Sequence, residues 1–460
     1  MPAPILSASC AADASLVRFT GWLDQHGASL SEKLEIGGCH GKRGIYARDS
    51  LEVGEMVAYV PLRLLVTRAN ATSHPLFQSH QATPLRGPDL QALFLLAQRY
   101  QGGMWQPYVQ ALPQSIGTTL AWSDSELREL QASDLVKHDS IRRSAISRSH
   151  ASASTFQPSL VEHSDDWSWA LTMVWSRTHS IPIPGAGTIA AMPPLIDMFN
   201  YAEASSLDGT LTEGDAVVLR ADRHIAKGDE VTVPYGRGRG VPNAQLMMEH
   251  GFCRAHNPFD DVALPMQLHD PATPRVQALT RLRLLPPTAP PPRLSRHRDT
   301  LPPEAVVFAR LATIAPSEAA PLEASKVAAD IDGYVRRASR DRGVRRFLRA
   351  AITSHLARYE TTADEDEALL SQFGHREHKQ NTPDADGDDH HAPAPPVGAR
   401  PTTYTDRLHC AVLLRLEEKR TLEHWAIRLE DGPDDTHRVL QPPQPNGGIR
   451  ADGHGQKDEV

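Results

Sequence analysis

The chain has 460 residues, with 48 lysines and arginines against 56 aspartates and glutamates, for a formal net charge of -8. That length suits two or more domains with cores of their own, and the missing basic surplus argues against wholesale binding of a nucleic acid backbone, which depends on counterion release. The 37 prolines and a mean hydropathy of -0.40 indicate a globular protein with long polar loops or tails, and no apolar run approaches a membrane span.

Near the N-terminus, MPAPILSASCAADASLVRF lacks a basic start followed by a sustained apolar stretch, so no targeting segment is expected. Cys10, Cys39, Cys253 and Cys410 lie far apart with no CxxC and no compact Cys/His cluster. Neither a metal site nor a disulfide framework is therefore expected, and a reducing compartment fits, the cytoplasm first and the nucleus as its alternative. Residues 34–66 read as short strands broken by glycine turns. Leu90, Leu93, Phe94, Ala97 and Tyr100 then recur at helical spacing, as do Trp167, Ala170, Leu171, Val174 and Thr178. Between them residues 134–165, rich in Ser, His and Asp, read as a loop insertion.

Strands and turns return over residues 188–235. The stretch NAQLMMEHGF follows, with Asn243 as N-cap and Gly251 as the helix stop. Beyond about residue 270 the pattern is helical, and Leu408, Ala411, Val412, Leu422, Trp425 and Leu429 share one face. Residues 373–402 have the composition of a disordered linker, and residues 432–460 that of a polar tail. The DDHHAP within that linker reads as solvated rather than metal-binding, and the single GRGRG as a loop rather than an RNA-binding tract.

Lys227 to Gly240, KGDEVTVPYGRGRG, places Tyr235 between a strand and a glycine-rich loop. Val231, Thr232 and Val233 give the alternation of a half-buried strand, Pro234 removes a ladder donor, and the glycines admit a close neighbour. Alone, this is an ordinary strand-end aromatic. Four segments set it in context: GKRGIYA (Gly41–Ala47), Ser176-Arg177, PPLIDMFNY (Pro193–Tyr201), and VPYG with EHGF (Val233–Phe252). Their order and spacing resemble SET-domain methyltransferases, and more narrowly the Rubisco large-subunit methyltransferase-like branch. MWQPYVQALP, LAWSDSELREL and TDRLHCAVLLRLEEKRTL are similar to the segment between the SET halves and to the end of the helical substrate-binding domain of that branch.

The resemblance implies an α+β chain: a SET β-fold of small sheets with a pseudoknot and a helical insertion, followed by an all-α substrate-binding domain. Its parts would be residues 16–67 and 188–256 for the SET halves, 68–187 for the insertion, and 270–430 for the helical domain. The helical domain would take the place of the cysteine-rich tail that many histone-directed relatives use. The implied activity is S-adenosylmethionine (AdoMet)-dependent N-methylation of a protein, with no metal, no nucleic acid or membrane partner, and a monomeric state. AdoMet carries an electrophilic methyl, so the protein's part is positioning and electrostatics. A lysine must first lose its proton, at roughly 4–5 kcal/mol near pH 7, and a dry channel lowers that figure.

By the same resemblance Tyr235 is the catalytic tyrosine beside the transfer axis. Lys42, Arg43, Gly44 and Ile45 form the first cofactor loop, Arg177 contacts the cofactor carboxylate, and Phe252 packs on adenine or in the core. Asn200 and Tyr201 occupy the family's Asn-His pair, from which Tyr201 departs. Asp197 fits the acidic position of that motif or a structural hydrogen bond, and His250 stands in the pocket wall. The acceptor is expected to be a lysine of a non-histone protein, with a histidine imidazole as the rival, since imidazole is largely neutral near pH 7. A non-catalytic SET-fold scaffold is the third reading.

Overall fold

The computed structural model describes residues 5–38, 43–78, 85–183, 185, 187–203, 207, 211–235, 240–266, 277, 290–315, 330–380 and 404–430. Three of its small sheets draw strands from both sides of a helical insertion, and a fourth pairs Val262–Ala263 with Arg293–Leu294. One sheet runs Ser29–Leu30, Met56–Pro61, Ala216–Arg220, Leu211–Glu213, antiparallel throughout. Another runs Leu34–Gly37, Gly44–Ala47, Glu230–Val233, Asn200–Tyr201, and its last pair is parallel, with Thr232 opposite Asn200 and Val233 opposite Tyr201. A third joins Val66–Thr67, Gly187–Met192 and His179–Ile183. Because Glu230–Val233 is an interior strand, Val231, Thr232 and Val233 are all buried, whereas alternation predicted a half-buried strand.

The insertion packs the helices Gly87–Tyr100 and Ser164–Arg177 together, burying Leu90, Leu93, Phe94 and Ala97 from the first and Trp167, Ala170, Leu171 and Val174 from the second. Tyr100 leaves the predicted face and is exposed. Residues 134–165 are mostly not a loop: Asp134–Phe156 is a 23-residue helix capped by Ser133. Leu135, Asp139, Ile146, Ser149 and Ala153 keep one buried face. The hydroxyls of Ser144, Ser147, Ser152 and Thr155 bond the carbonyl four residues back, so the serines that suggest a loop are accommodated within the helix.

Asn243 is the first residue of the Asn243–His250 helix and not its cap, which is Pro242. Its side chain instead bridges Arg254 and Asp260. Gly251 does end that helix, at φ 74°, and a Cβ there would lie 2.7 Å from the backbone of Gly117 and Thr118. Cys10 is disulfide-bonded to a partner outside the described residues, against the expectation of none, while Cys253 and Cys410 are free.

The helices Pro303–Thr313, Ile331–Ala338, Arg342–Leu356, Ala363–Gln380 and Tyr404–Arg428 form the C-terminal unit. Ala363–Gln380 continues into the stretch predicted to be linker from residue 373; residues 381–403 of that stretch and the tail lie outside the described residues. A seam of Trp122, Leu130, Leu135, Met247, Ala411 and Leu414 joins this unit to the insertion and to the Asn243–His250 helix.

The seam is reinforced by buried charge. Arg415 bonds Asp366 at 3.0 Å and Glu129 at 3.1 Å, and Glu418 accepts from Tyr359 and from Ser133 at 2.8 Å. Burial lifts the Glu418 carboxyl to about 7, against the opposing hydrogen bonds from Tyr359 and Ser133. A raised carboxyl favours the folded state below its unfolded value, about 4.3, and that contribution is lost as pH rises through 7. Between pH 6 and pH 8 Glu418 is expected to remove about 1 kcal/mol of stability. Glu418→Gln should flatten this part of the pH dependence of the thermal midpoint, measured by calorimetry; parallel profiles for the two proteins would refute the assignment.

Candidate active site

The sheet with the parallel pair brings together three segments far apart in sequence. Gly44 opens one strand, Tyr235 lies two residues past the end of its neighbour, and Asn200 starts the strand beyond. Asn200 Nδ2 donates to the Arg43 carbonyl at 2.9 Å and to Glu230 Oε1 at 2.6 Å, which fastens the glycine loop to the central strand. A Cβ at Gly44 would stand 2.5 Å from Glu230 Oε1 and 2.8 Å from Asn200 Nδ2, so a side chain there would displace these two contacts. Ile45 pairs with Val231 and is fully buried. Lys42, also predicted for this loop, lies outside the described residues, as do residues 236–239 after Tyr235.

The Tyr235 hydroxyl donates to the Phe199 carbonyl at 3.3 Å. Its ring lies 4.4 Å from that of His250 and 5.2 Å from that of Tyr201, centroid to centroid, and Tyr201 in turn lies 6.2 Å from Phe252. Tyr201 and Phe252 share a small buried cluster with Val241 and Leu246. The buried Tyr201 hydroxyl finds no hydrogen-bond partner among the described residues, and the Arg254 guanidinium lies 5.8 Å from its ring. Burial raises the pKa of that phenol, with Arg254 opposing. Together these rings make an aromatic wall with electron-rich faces around the strand end.

A second, polar layer lies behind. Arg177 is 5% exposed, and its Nη1 donates to the Asp197 carbonyl at 2.8 Å and to Asp197 Oδ2 at 3.1 Å. The same Oδ2 accepts from the Tyr108 hydroxyl at 2.7 Å. Burial opposes the charge on Arg177, yet Asp197 outweighs it and the pKa is raised. Burial also drives the Tyr108 phenol well above its ordinary value, with Asp197 adding to it. Arg43, which donates to the Ala111 carbonyl, is pulled down to about 10 by burial and then by the charge of Arg177. His179 is lowered by burial, with Asp197 opposing and Arg177 assisting.

Of the predicted residues, the structure thus draws Gly44, Ile45, Arg43, Asn200, Tyr201, Tyr235 and Phe252 around one sheet edge, with Arg177 committed to an ion pair behind it. Asp197 makes structural hydrogen bonds. Sequence reasoning missed Glu230, Tyr108, His179 and Leu195. Glu230 stands in the strand leading to Tyr235, and Tyr108 in the matched MWQPYVQALP segment, so both were within stretches already singled out. Leu195 has a φ of 74°, a strained value for a branched side chain, immediately before the turn that carries Asp197. A cavity of about 820 Å³ opens elsewhere, lined by Thr67, Gln91, Trp175 and Thr178 among others, and includes none of the residues around Tyr235.

Asp197 neutralises a buried guanidinium, so Asp197→Ala is expected to destabilise the protein by about 3 kcal/mol or more, read as a lowered denaturation midpoint. A change below about 0.5 kcal/mol would show that the pair is not the anchor described.

Residues 269–422 match the family model described as Rubisco LSMT substrate-binding. Over 261 residues the chain is 26% identical to the actin-histidine N-methyltransferase of Canis lupus familiaris, covering 53% of this chain and 44% of that protein. Over 263 residues it is 26% identical to the Homo sapiens protein of the same name, covering 53% and 43%. The match therefore spans less than half the length of these relatives. The structure of Rubisco LSMT bound to AdoMet is similar over 91% of this chain and 92% of that one, with a TM-score of 0.69 at 21% identity. The SET domain of LSMT bound to lysine and AdoHcy gives a TM-score of 0.68 over the same shares, also at 21% identity. The chain thus shares the fold of these Rubisco LSMT structures, and its residues 269–422 match the Rubisco LSMT substrate-binding model.

Proposed function

We propose that the chain is an AdoMet-dependent protein N-methyltransferase. The observation that carries this reading is the junction of Gly44, Asn200 and Tyr235 at one sheet edge, in a chain whose similar proteins are named as protein methyltransferases or were solved with AdoMet or AdoHcy. The residues present fit that cofactor. Arg43 and Gly44 are tied to the central strand through Asn200 and Glu230, and the aromatic wall of Tyr201, Tyr235 and Phe252 suits a sulfonium and an adenine. When bound, AdoMet supplies a methyl that needs an in-line nucleophile.

Arg43 to Ile45 and Asn200 would hold the cofactor, chiefly through a backbone fixed by the Asn200 and Glu230 contacts. Tyr235 is held by its own strand and by the Phe199 carbonyl; a phenol that donates there still has acceptor capacity to orient an incoming nitrogen. Arg177 acts one layer back, by holding Asp197 and so the turn that carries Asn200. His250, packed against Tyr235, excludes water from that side.

Two acceptors are carried forward. A lysine amine is supported by the lysine and monomethyllysine in the similar solved structures. A histidine imidazole is supported by the names of the curated relatives. The two differ in proton demand: a lysine ends up neutral only against its reference pKa of about 10.4, an imidazole against about 6.5.

Incubating the protein with methyl-tritiated AdoMet and a hypomethylated lysate should label a discrete protein band. Tyr235→Phe should lower that labelling about a hundredfold while AdoMet still binds by calorimetry. Mass spectrometry of the band names the acceptor, and the pH profile checks it independently: transfer to lysine should keep rising above pH 8, whereas transfer to histidine should level off above about pH 7. Absence of AdoMet binding would remove the enzyme reading in favour of a scaffold.

A further inference from the structure

The Arg342–Leu356 helix turns Val344, Leu348, Ile352 and His355 into the C-terminal unit and presents its other face to solvent. That outer face carries Arg342, Arg346 and Arg349, all exposed, with Arg345 half-buried beside them. Their i, i+3, i+4, i+7 spacing makes one stripe. With Leu429 and Glu430 at the end of the last helix, these arginines line a groove of about 750 Å³. Residues 336–349 hold seven arginines and one aspartate, in a chain whose formal net charge is -8. Like charges at helical spacing repel, so the stripe weakens the helix that bears it.

The groove already engages the chemistry of an acidic peptide. Glu430 Oε1 lies 2.8 Å from Arg349 Nη2, and Arg345 Nη2 donates to the Arg428 carbonyl at 2.8 Å. Arg342 and Arg346 have no hydrogen-bond or ion-pair partner among the described residues. Ala350, Thr353, Ser354 and Ala357 also line the groove, small side chains beside which an extended backbone can lie, two of them carrying hydroxyls. None of the lining residues is aromatic, so the groove lacks the stacking platform on which single-stranded nucleic acids rest.

We propose that this groove docks an extended acidic segment of a protein partner, whose carboxylates pair with Arg342 and Arg346 while Arg349 stays with Glu430. That the partner is the methyl acceptor rests on the function proposed above; the binding chemistry does not.

The test is fluorescence anisotropy of a labelled peptide of alternating glutamate and glycine, titrated with the full chain at low salt and with the double variant R342E/R346E. Both side chains are exposed, so an unchanged thermal midpoint and AdoMet affinity should show that the variant is folded. Saturable binding is expected, weakened at least about tenfold by the double charge reversal and weakened again by added salt. Three results would overturn the proposal: no saturable binding, equal binding by both proteins, or tighter binding of a single-stranded oligonucleotide or an anionic vesicle than of the peptide. Since no methyl transfer is read, peptide binding without AdoMet binding sinks the enzyme reading alone, and AdoMet binding without peptide binding sinks the groove alone.

Discussion

The Asp197 carboxylate is the constraint on which the rest of the site depends. It is buried where an isolated charge is untenable, and it is made tolerable by Arg177 from the last helix of the insertion and Tyr108 from an earlier one. Three residues later Asn200 begins the strand that pairs beside Glu230–Val233. Anchoring Asp197 therefore sets where Asn200 reaches, and Asn200 sets how Arg43 and Gly44 lie. The helical insertion is in this sense part of the site's support, through Arg177 and Tyr108.

The same use of charge recurs where the C-terminal unit meets the rest. Arg415 links Asp366 of its own unit to Glu129 of the insertion, and Glu418 links Tyr359 to Ser133. Buried ion pairs add little net stability against apolar replacements, but breaking one leaves an unpaired charge. An alternative docking angle would strand several of these groups at once. The apolar seam of Trp122, Met247 and Leu414 holds the surfaces together without favouring one angle so sharply.

Much of the fold was legible because apolar period and turn chemistry agree with it. The strands at 34–66 and the helix ended by Gly251 follow directly from local pattern. The Asp134–Phe156 helix was not, since its serines and histidines argue for a loop until their bonds to preceding carbonyls and the buried face at Leu135, Ile146 and Ala153 are seen. For the site, Tyr235, Gly44 and Asn200 stood in recognisable motifs. Glu230 and Tyr108 carry no local mark, because their roles come from neighbours more than 20 residues distant, roughly the point at which period and spacing stop informing. Arg177 stood in a motif as well, and its bond to Asp197, 20 residues on, is likewise beyond the reach of local spacing.

The sheet at the site has a further consequence for how the chain reaches its native state. Tyr46 pairs with Glu230 and Ile45 with Val231, so two adjacent strands are separated by the whole insertion. Closing a loop of that length must precede any gain from the pairing. Contacts this remote in sequence form slowly compared with helix–helix contacts inside the insertion. The helices of the insertion, whose contacts are more local, are thus suited to form first and to shorten the effective loop. On this account the edge that carries Tyr235 is assembled late, on a scaffold whose own folding does not wait for it.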